Sequence, residues 1–158
     1  MHFYLKDPDM LNLVKLKKSN FYLMIISAAA IILSISLDTL LRASNDILFN
    51  GWLAENNFGT GSNDQYYRVY LGSLMIDYFF RLIVPVVFGL QTYFAYIRSG
   101  VGIIYKAVWS VVLGGMLIVT ILNFDTSSPA YYISGVAYVI IIISLLRIKH
   151  NSQKTVGG

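Results

Sequence analysis

The sequence predicts an all-α integral membrane protein, a four-transmembrane-helix bundle whose N-terminus and C-terminus are both cytoplasmic. Three observations predict it: the composition, four long apolar stretches, and the uneven distribution of basic residues. The 158-residue chain is 56% hydrophobic and only 13% charged, whereas soluble domains carry about 25% charged residues. The mean hydropathy is +0.62. This composition excludes a disordered chain, and the absence of cysteine excludes a disulfide scaffold, Cys-based zinc sites and a cysteine nucleophile.

Four stretches are apolar over about the 20 residues that a helix needs to cross a bilayer core about 30 Å thick. The predicted spans are 21–37, 70–97, 101–124 and 131–147. Apolar residues occupy consecutive positions in these stretches instead of alternating with polar ones, and this pattern favours helices over barrel strands. The whole chain is therefore expected to form a single transmembrane domain.

The first element is a basic tail, 1–20, which is expected to lie in the cytoplasm. Pro8 can occupy the first position of a helix, and Met10, Leu13 and Val14 would then share one face. That pattern is typical of a short interfacial helix on the inner leaflet. An irregular tail that leads into the first span is the alternative, and the sequence leaves both open.

The outer loop, 38–69, is the only long connection. Its first half, 38–54, places apolar residues at helical spacing, so it either extends the first span or forms an outer surface helix. Its second half is rich in Asn, Gly and Ser, which is typical of irregular structure. The other connections are short, which makes the second, third and fourth spans antiparallel neighbours. A short cytoplasmic tail, 148–158, ends the chain.

Basic residues decide the predicted orientation. Nine of the twelve Lys and Arg residues fall on one side of the predicted spans: Lys6, Lys15, Lys17, Lys18, Arg98, Lys106, Arg147, Lys149 and Lys154. Arg42 and Arg68 fall on the other side. Since loops rich in Lys and Arg stay inside the cell, both termini are expected in the cytoplasm. The net charge of +4 follows from this topology, so no nucleic-acid partner is expected.

Two charged residues interrupt the second span and are the main candidate functional residues. Asp77 and Arg81 are four positions apart, so on a helix they share one face and can pair. Ionisable groups inside a membrane helix often mark a site of function or of partner contact. Gln91 adds polarity to the same helix. The pair lies either at the rim of the bilayer or inside the bundle, and the sequence leaves this open.

Small residues that allow helices to approach closely form the second candidate group. The candidate helix-packing residues are Ala30, Ser34, Ser110, Gly114, Gly115 and Gly135. Their pattern serves equally for packing within the chain and for packing against another chain.

Enzymatic function is not expected. The two histidines, His2 and His150, lie in the tails, and Glu55 is the only glutamate. A His-containing catalytic triad therefore has no candidate within the spans, and no His/Glu motif offers a metal site. No catalytic residue, cofactor or metal is predicted.

Two functions remain. The first is a small non-enzymatic accessory or structural subunit of a larger membrane complex of the secretion, transport, envelope or toxin-protection type. The alternative is a small oligomeric channel or transporter that uses the Asp77/Arg81 pair. In both, the partners are the lipid bilayer and other membrane protein chains, identical or different. A bacterial or archaeal cell membrane is the expected location, since the chain has no N-glycosylation sequon.

Overall fold

A computed structural model describes residues 13–56, 63–122 and 128–148. About 90% of these residues are helical and none lies in a β-strand, which confirms the all-helical prediction. The helices are α1 (Lys18–Ala43), α2 (Asp46–Asn56), α3 (Asn63–Phe94), α4 (Ile103–Leu122) and α5 (Pro129–Leu146), and a π-helical turn, Ala95–Ser99, continues α3. In the described part of the chain, α1, α3, α4 and α5 are long and apolar enough to span a membrane.

The helices extend beyond the apolar stretches that predicted them. Instead of ending at residue 37, α1 continues to Ala43, because Asp38 and Arg42 pair along the helix at i and i+4. A turn at Asn45 then starts α2, where the Asn45 side chain accepts hydrogen bonds from the backbone N–H groups of Ile47 and Leu48 at 3.0 and 3.4 Å. Residues 38–54 therefore combine the two predicted alternatives: they extend the first helix and form a second, separate one.

In the described part of the basic tail, residues 13–17 are not helical, and α1 begins at Lys18. Val14 forms an isolated antiparallel β-bridge with Val101, and the two backbone N–O distances are 3.0 and 2.8 Å. The rest of the predicted interfacial helix lies outside the described residues, as do 149–158 in the C-terminal tail and 123–127 in the last connection.

The core lies along α1, which packs against α3 on one side and α5 on the other. In turn, α4 packs against α5, while α3 and α4 share few contacts. Met24, Ile31, Phe88, Leu113 and Ile141 have no exposed surface and form the centre of this core. All four long helices thus contribute to one apolar cluster.

The two ends of the helices differ in chemistry. At the end that holds the basic tail, the Val14–Val101 bridge connects the segment before α1 to the segment before α4, and Gly100 makes the adjacent turn with a φ of +79°. There the Lys106 ammonium donates to the carbonyl oxygens of Leu146 and Ile148 at 3.1 and 3.2 Å. A cation at the C-terminus of α5 is favourable because the unpaired carbonyls carry negative partial charge.

Candidate functional site: a polar cluster around Tyr131

Asp77 and Arg81 form the ion pair that their spacing predicts. Arg81 Nη2 lies 2.9 Å from Asp77 Oδ2, and Arg81 Nε donates to Oδ1 at 3.1 Å. The pair is therefore bidentate, the stronger geometry for a guanidinium and a carboxylate. The Asp77 side chain is 55% exposed and that of Arg81 33%, so the carboxylate lies on the outside of the helices.

A second pair, Asp38 and Arg42, stands beside the first. Arg42 Nε donates to Asp38 Oδ2 at 3.0 Å, and the hydroxyl of Ser128 donates to Asp38 Oδ1 at 2.7 Å. The Asp38 side chain is only 10% exposed. A buried carboxylate is costly unless it is paired and hydrogen-bonded, and here it is both. Both residues of this pair fall in the predicted outer loop, and neither is among the candidates that the sequence singled out.

Tyr131 on α5 joins the two pairs. Its hydroxyl oxygen accepts a hydrogen bond from Arg42 Nη2 at 3.4 Å and from Arg81 Nη1 at 3.2 Å. Both guanidinium carbons lie 5.8 Å from the centre of its ring, within the range of a cation–π interaction. Together these residues form what we call the polar cluster: Asp38, Arg42, Asp77, Arg81, Ser128 and Tyr131. The cluster connects α1, α3 and α5.

A small cavity of about 40 Å³ adjoins the polar cluster. Asp38, Arg81 and Tyr131 line it on the polar side, and the remaining lining residues are Ile35, Met116, Val119, Thr120, Ala130, Ser134 and Tyr138. The volume suffices for one or a few water molecules, and the polar groups can bind them. Further along the helices, the fully buried Ile31 and Leu113 fill the core.

Gln91 lies away from the polar cluster, in the contact between α3 and α4. Trp109 Nε1 donates to Gln91 Oε1 at 3.0 Å, and the hydroxyls of Thr92 and Tyr105 are 2.6 Å apart. The rings of Phe88 and Trp109 meet edge to face, with centroids at 5.1 Å. The three candidate functional residues are therefore divided between two places in the structure.

The small residues differ in their surroundings. Ser34 donates to the carbonyl oxygen of Ala130 at 2.7 Å and Ala30 packs against the core, so both contribute to the side of α1 that meets the core and α5. Ser110 is half-buried on α4. A Cβ atom added at Gly114, Gly115 or Gly135 would meet no atom of the described chain within 4 Å. The role of these three glycines in packing against another chain stays a prediction.

The polar cluster is balanced in charge, with two carboxylates facing two guanidiniums. Within the described ranges, no group of three or more His, Cys, Asp or Glu residues could hold a metal ion. The cluster can hold fixed charges at one end of the helices and bind polar groups of either sign. Sequence reasoning could have found the second pair, because DTLLR at Asp38 and DYFFR at Asp77 share one spacing.

No family model, curated protein or solved structure matches the chain.

Proposed function

We propose that the chain is an integral membrane protein of a bacterial or archaeal cell membrane, with both termini in the cytoplasm. We propose further that it acts as a non-enzymatic accessory subunit of a larger membrane complex. Four helices of suitable length and hydropathy support insertion, and the nine basic residues on one side support the orientation.

The lengths of α4 and α5 support a particular depth in the bilayer. With 20 and 18 residues, they are about 30 and 27 Å long at 1.5 Å per residue, close to the thickness of the hydrocarbon. Tyr131 follows the start of α5 by two residues, about 3 Å. The polar cluster then lies at the boundary between hydrocarbon and headgroups, which favours the rim position for Asp77 and Arg81.

The orientation can be tested directly because the chain contains no cysteine. Ser19→Cys and Asn50→Cys place single thiols at exposed positions in the first turn of α1 and in α2. In intact cells, we expect a membrane-impermeant maleimide to label Asn50→Cys, and to label Ser19→Cys only after the membrane is opened. The reverse pattern would refute the proposed orientation.

The unequal burial of the four helices carries the subunit proposal. In their most apolar 18-residue windows, 39% of the residues of α1 and α5 are buried, against 11% of those of α3 and α4. A side-chain carbon added at Gly114 or Gly115 would have no atom of the described chain within 4 Å. A partner helix could approach α4 closely at these two glycines.

A matched pair of glycine substitutions tests this proposal. Gly114→Leu adds a bulky side chain to the open surface of α4, and Gly72→Leu adds the same side chain to an equally open position on α3. We expect the wild type and Gly72→Leu to co-purify with another membrane chain in mild detergent, and Gly114→Leu to retain at most about a tenth as much.

Two results would contradict the subunit proposal. One is a wild-type chain that purifies alone and forms no cross-links in its native membrane. The other is equal recovery of the partner with Gly114→Leu and Gly72→Leu. Because a Cβ at either position would stand in open space beyond its own helix, the melting curves of the two variants are expected to match each other, and they serve as the folding control.

The cavity favours one second candidate, a small oligomeric channel or transporter. Asp38 and Arg81 bring charge to a cavity between four helices, which a solute no larger than a few water molecules could enter. Flux through liposomes that falls in Asp77→Asn and Arg81→Ala would support this function. Flux that both variants leave unchanged would remove its support.

A further inference from the structure

Two stripes of residues, one on α3 and one on α4, meet at one end and border a cleft between the two helices. Asp77, Val84 and Gln91 follow one another at intervals of seven on α3, so they lie on nearly the same face, as do Trp109 and Met116 on α4. The stripes meet where Gln91 accepts a hydrogen bond from Trp109. The two helices share few contacts, and nearer the polar cluster residues of both line one cavity.

At its open end, the cleft combines charge with apolar walls. Arg81 on α3 and Met116 and Val119 on α4 line the same cavity. We define the α3–α4 cleft as these three residues together with Asp77 and Val84, which lie about one turn from Arg81 on α3. Val119 is 51% exposed. An amphiphile suits this arrangement, because its polar headgroup can contact the charged pair while its hydrocarbon contacts the apolar residues of the cleft.

The exposed ion pair keeps hydrogen-bonding capacity of both kinds. A guanidinium has five N–H donors, and the contacts of Arg81 with Asp77 and Tyr131 use three of them. The carboxylate of Asp77 has about four acceptor sites and accepts two bonds from Arg81. Donors and acceptors therefore lie side by side at the depth that headgroups occupy.

Resting on the depth in the bilayer proposed above, we propose that Asp77 and Arg81 bind the headgroup of phosphatidylethanolamine, and that one of its acyl chains packs along the outer, apolar side of the α3–α4 cleft. The phosphate accepts hydrogen bonds from Arg81, for which guanidinium geometry is well suited, and the primary ammonium donates to Asp77. The charge balance of the polar cluster selects a zwitterionic lipid, because an anionic one would gain no net attraction from two carboxylates and two guanidiniums. This site is separate from the open glycines on α4.

The experiment measures which lipids stay bound to the full-length chain. The chain is reconstituted in vesicles with equal amounts of phosphatidylethanolamine, its mono- and dimethyl derivatives, phosphatidylcholine and phosphatidylglycerol, then extracted in mild detergent and analysed by native mass spectrometry. Each methyl group removes one N–H donor from the ammonium. We expect retention to fall along the series, by about tenfold from phosphatidylethanolamine to phosphatidylcholine, as the loss of a charged hydrogen bond implies.

Substitutions separate the two halves of the site. Asp77→Asn is expected to abolish the dependence on methylation, because the neutral amide offers the ammonium no charged acceptor. Arg81→Gln is expected to lower retention of all four zwitterionic lipids. Arg68→Gln removes an exposed arginine from the first turns of the same helix and is expected to leave the wild-type pattern unchanged.

Several results would overturn the proposal. They are equal retention along the methylation series, preferential retention of phosphatidylglycerol, or an Asp77→Asn variant that keeps the wild-type series. Displacement of the lipid by soluble phosphoethanolamine at equal concentration would also overturn it, because the cleft would then contribute nothing. If either variant unfolds, the methylation series on the wild type still decides the outcome, since it needs no substitution.

Discussion

Gly100 makes a turn at the end of the helices opposite the polar cluster, and replacing it with alanine should destabilise the fold strongly. Its φ of +79° and ψ of −175° lie in a region that is almost restricted to glycine, and other residues adopt it at a cost of about 1 to 3 kcal/mol. A Cβ atom at this position would lie 2.8 Å from the carbonyl oxygen of Val14, so the backbone must also shift.

That shift would strain the Val14–Val101 bridge, whose two hydrogen bonds are 3.0 and 2.8 Å long. Each contributes about 0.5 to 1.5 kcal/mol, so Gly100→Ala should lower the free energy of unfolding by about 2 to 6 kcal/mol in all. Gly102→Ala is the matched control, because its Cβ would meet only a Leu13 methyl at 3.5 Å. The change there should be small, or stabilising by up to about 1 kcal/mol.

Unfolding in mixed micelles by increasing dodecyl sulfate, followed by tryptophan fluorescence, measures both free energies. Hydrogen exchange of the Val14 and Val101 amides gives a local readout, and both should exchange faster in Gly100→Ala. Equal stability of Gly100→Ala and Gly102→Ala, with unchanged exchange at the bridge, would refute the reasoning.

Two further substitutions test the contacts that join the helices at each end. Tyr131→Phe removes the hydroxyl that accepts hydrogen bonds from two arginines and should cost about 1 to 3 kcal/mol in the same unfolding assay. Tyr93→Phe, at a half-exposed position, should change the free energy of unfolding little. An equal effect of the two substitutions would contradict a stabilising role for the Tyr131 hydroxyl. Lys106→Met keeps most of the aliphatic side chain but loses its bonds to Leu146 and Ile148. It should cost about 1 to 3 kcal/mol and speed amide exchange in the last turn of α5. Unchanged exchange there would show that the ammonium does not stabilise that end.

The four long helices could be predicted because hydropathy is a local property of the sequence. Their ends could not, because a polar residue continues a helix wherever its side chain finds a partner, and partners depend on neighbouring helices. Asp38 shows this clearly: hydropathy ended the first span just before it, whereas bonds from Arg42 and Ser128 keep it inside the helix. Its spacing to Arg42 repeats that of Asp77 to Arg81, so the pairing of Asp38 with Arg42 could have been predicted from the local sequence.

Tyr131 shows why contacts between helices could not be predicted from the sequence. In the sequence it resembles the other tyrosines near the predicted spans, which commonly anchor helices at the bilayer surface. Its position between two arginines depends on how far α5 is shifted along α1 and α3, and this register is set by contacts between residues far apart in the chain. Gly100 is a similar case, because the carbonyl that excludes a Cβ belongs to Val14.

The distribution of these long-range contacts explains why a cleft forms beside α4. The polar cluster connects α1, α3 and α5 at one end, and α4 contributes Met116, Val119 and Thr120 to the cavity wall there. At the other end, α4 is held by hydrogen bonds to Gln91 and to the carbonyls that end α5. Hydrogen bonds thus join α3 and α4 at the end near Gly100, whereas near the polar cluster residues of both helices line one cavity.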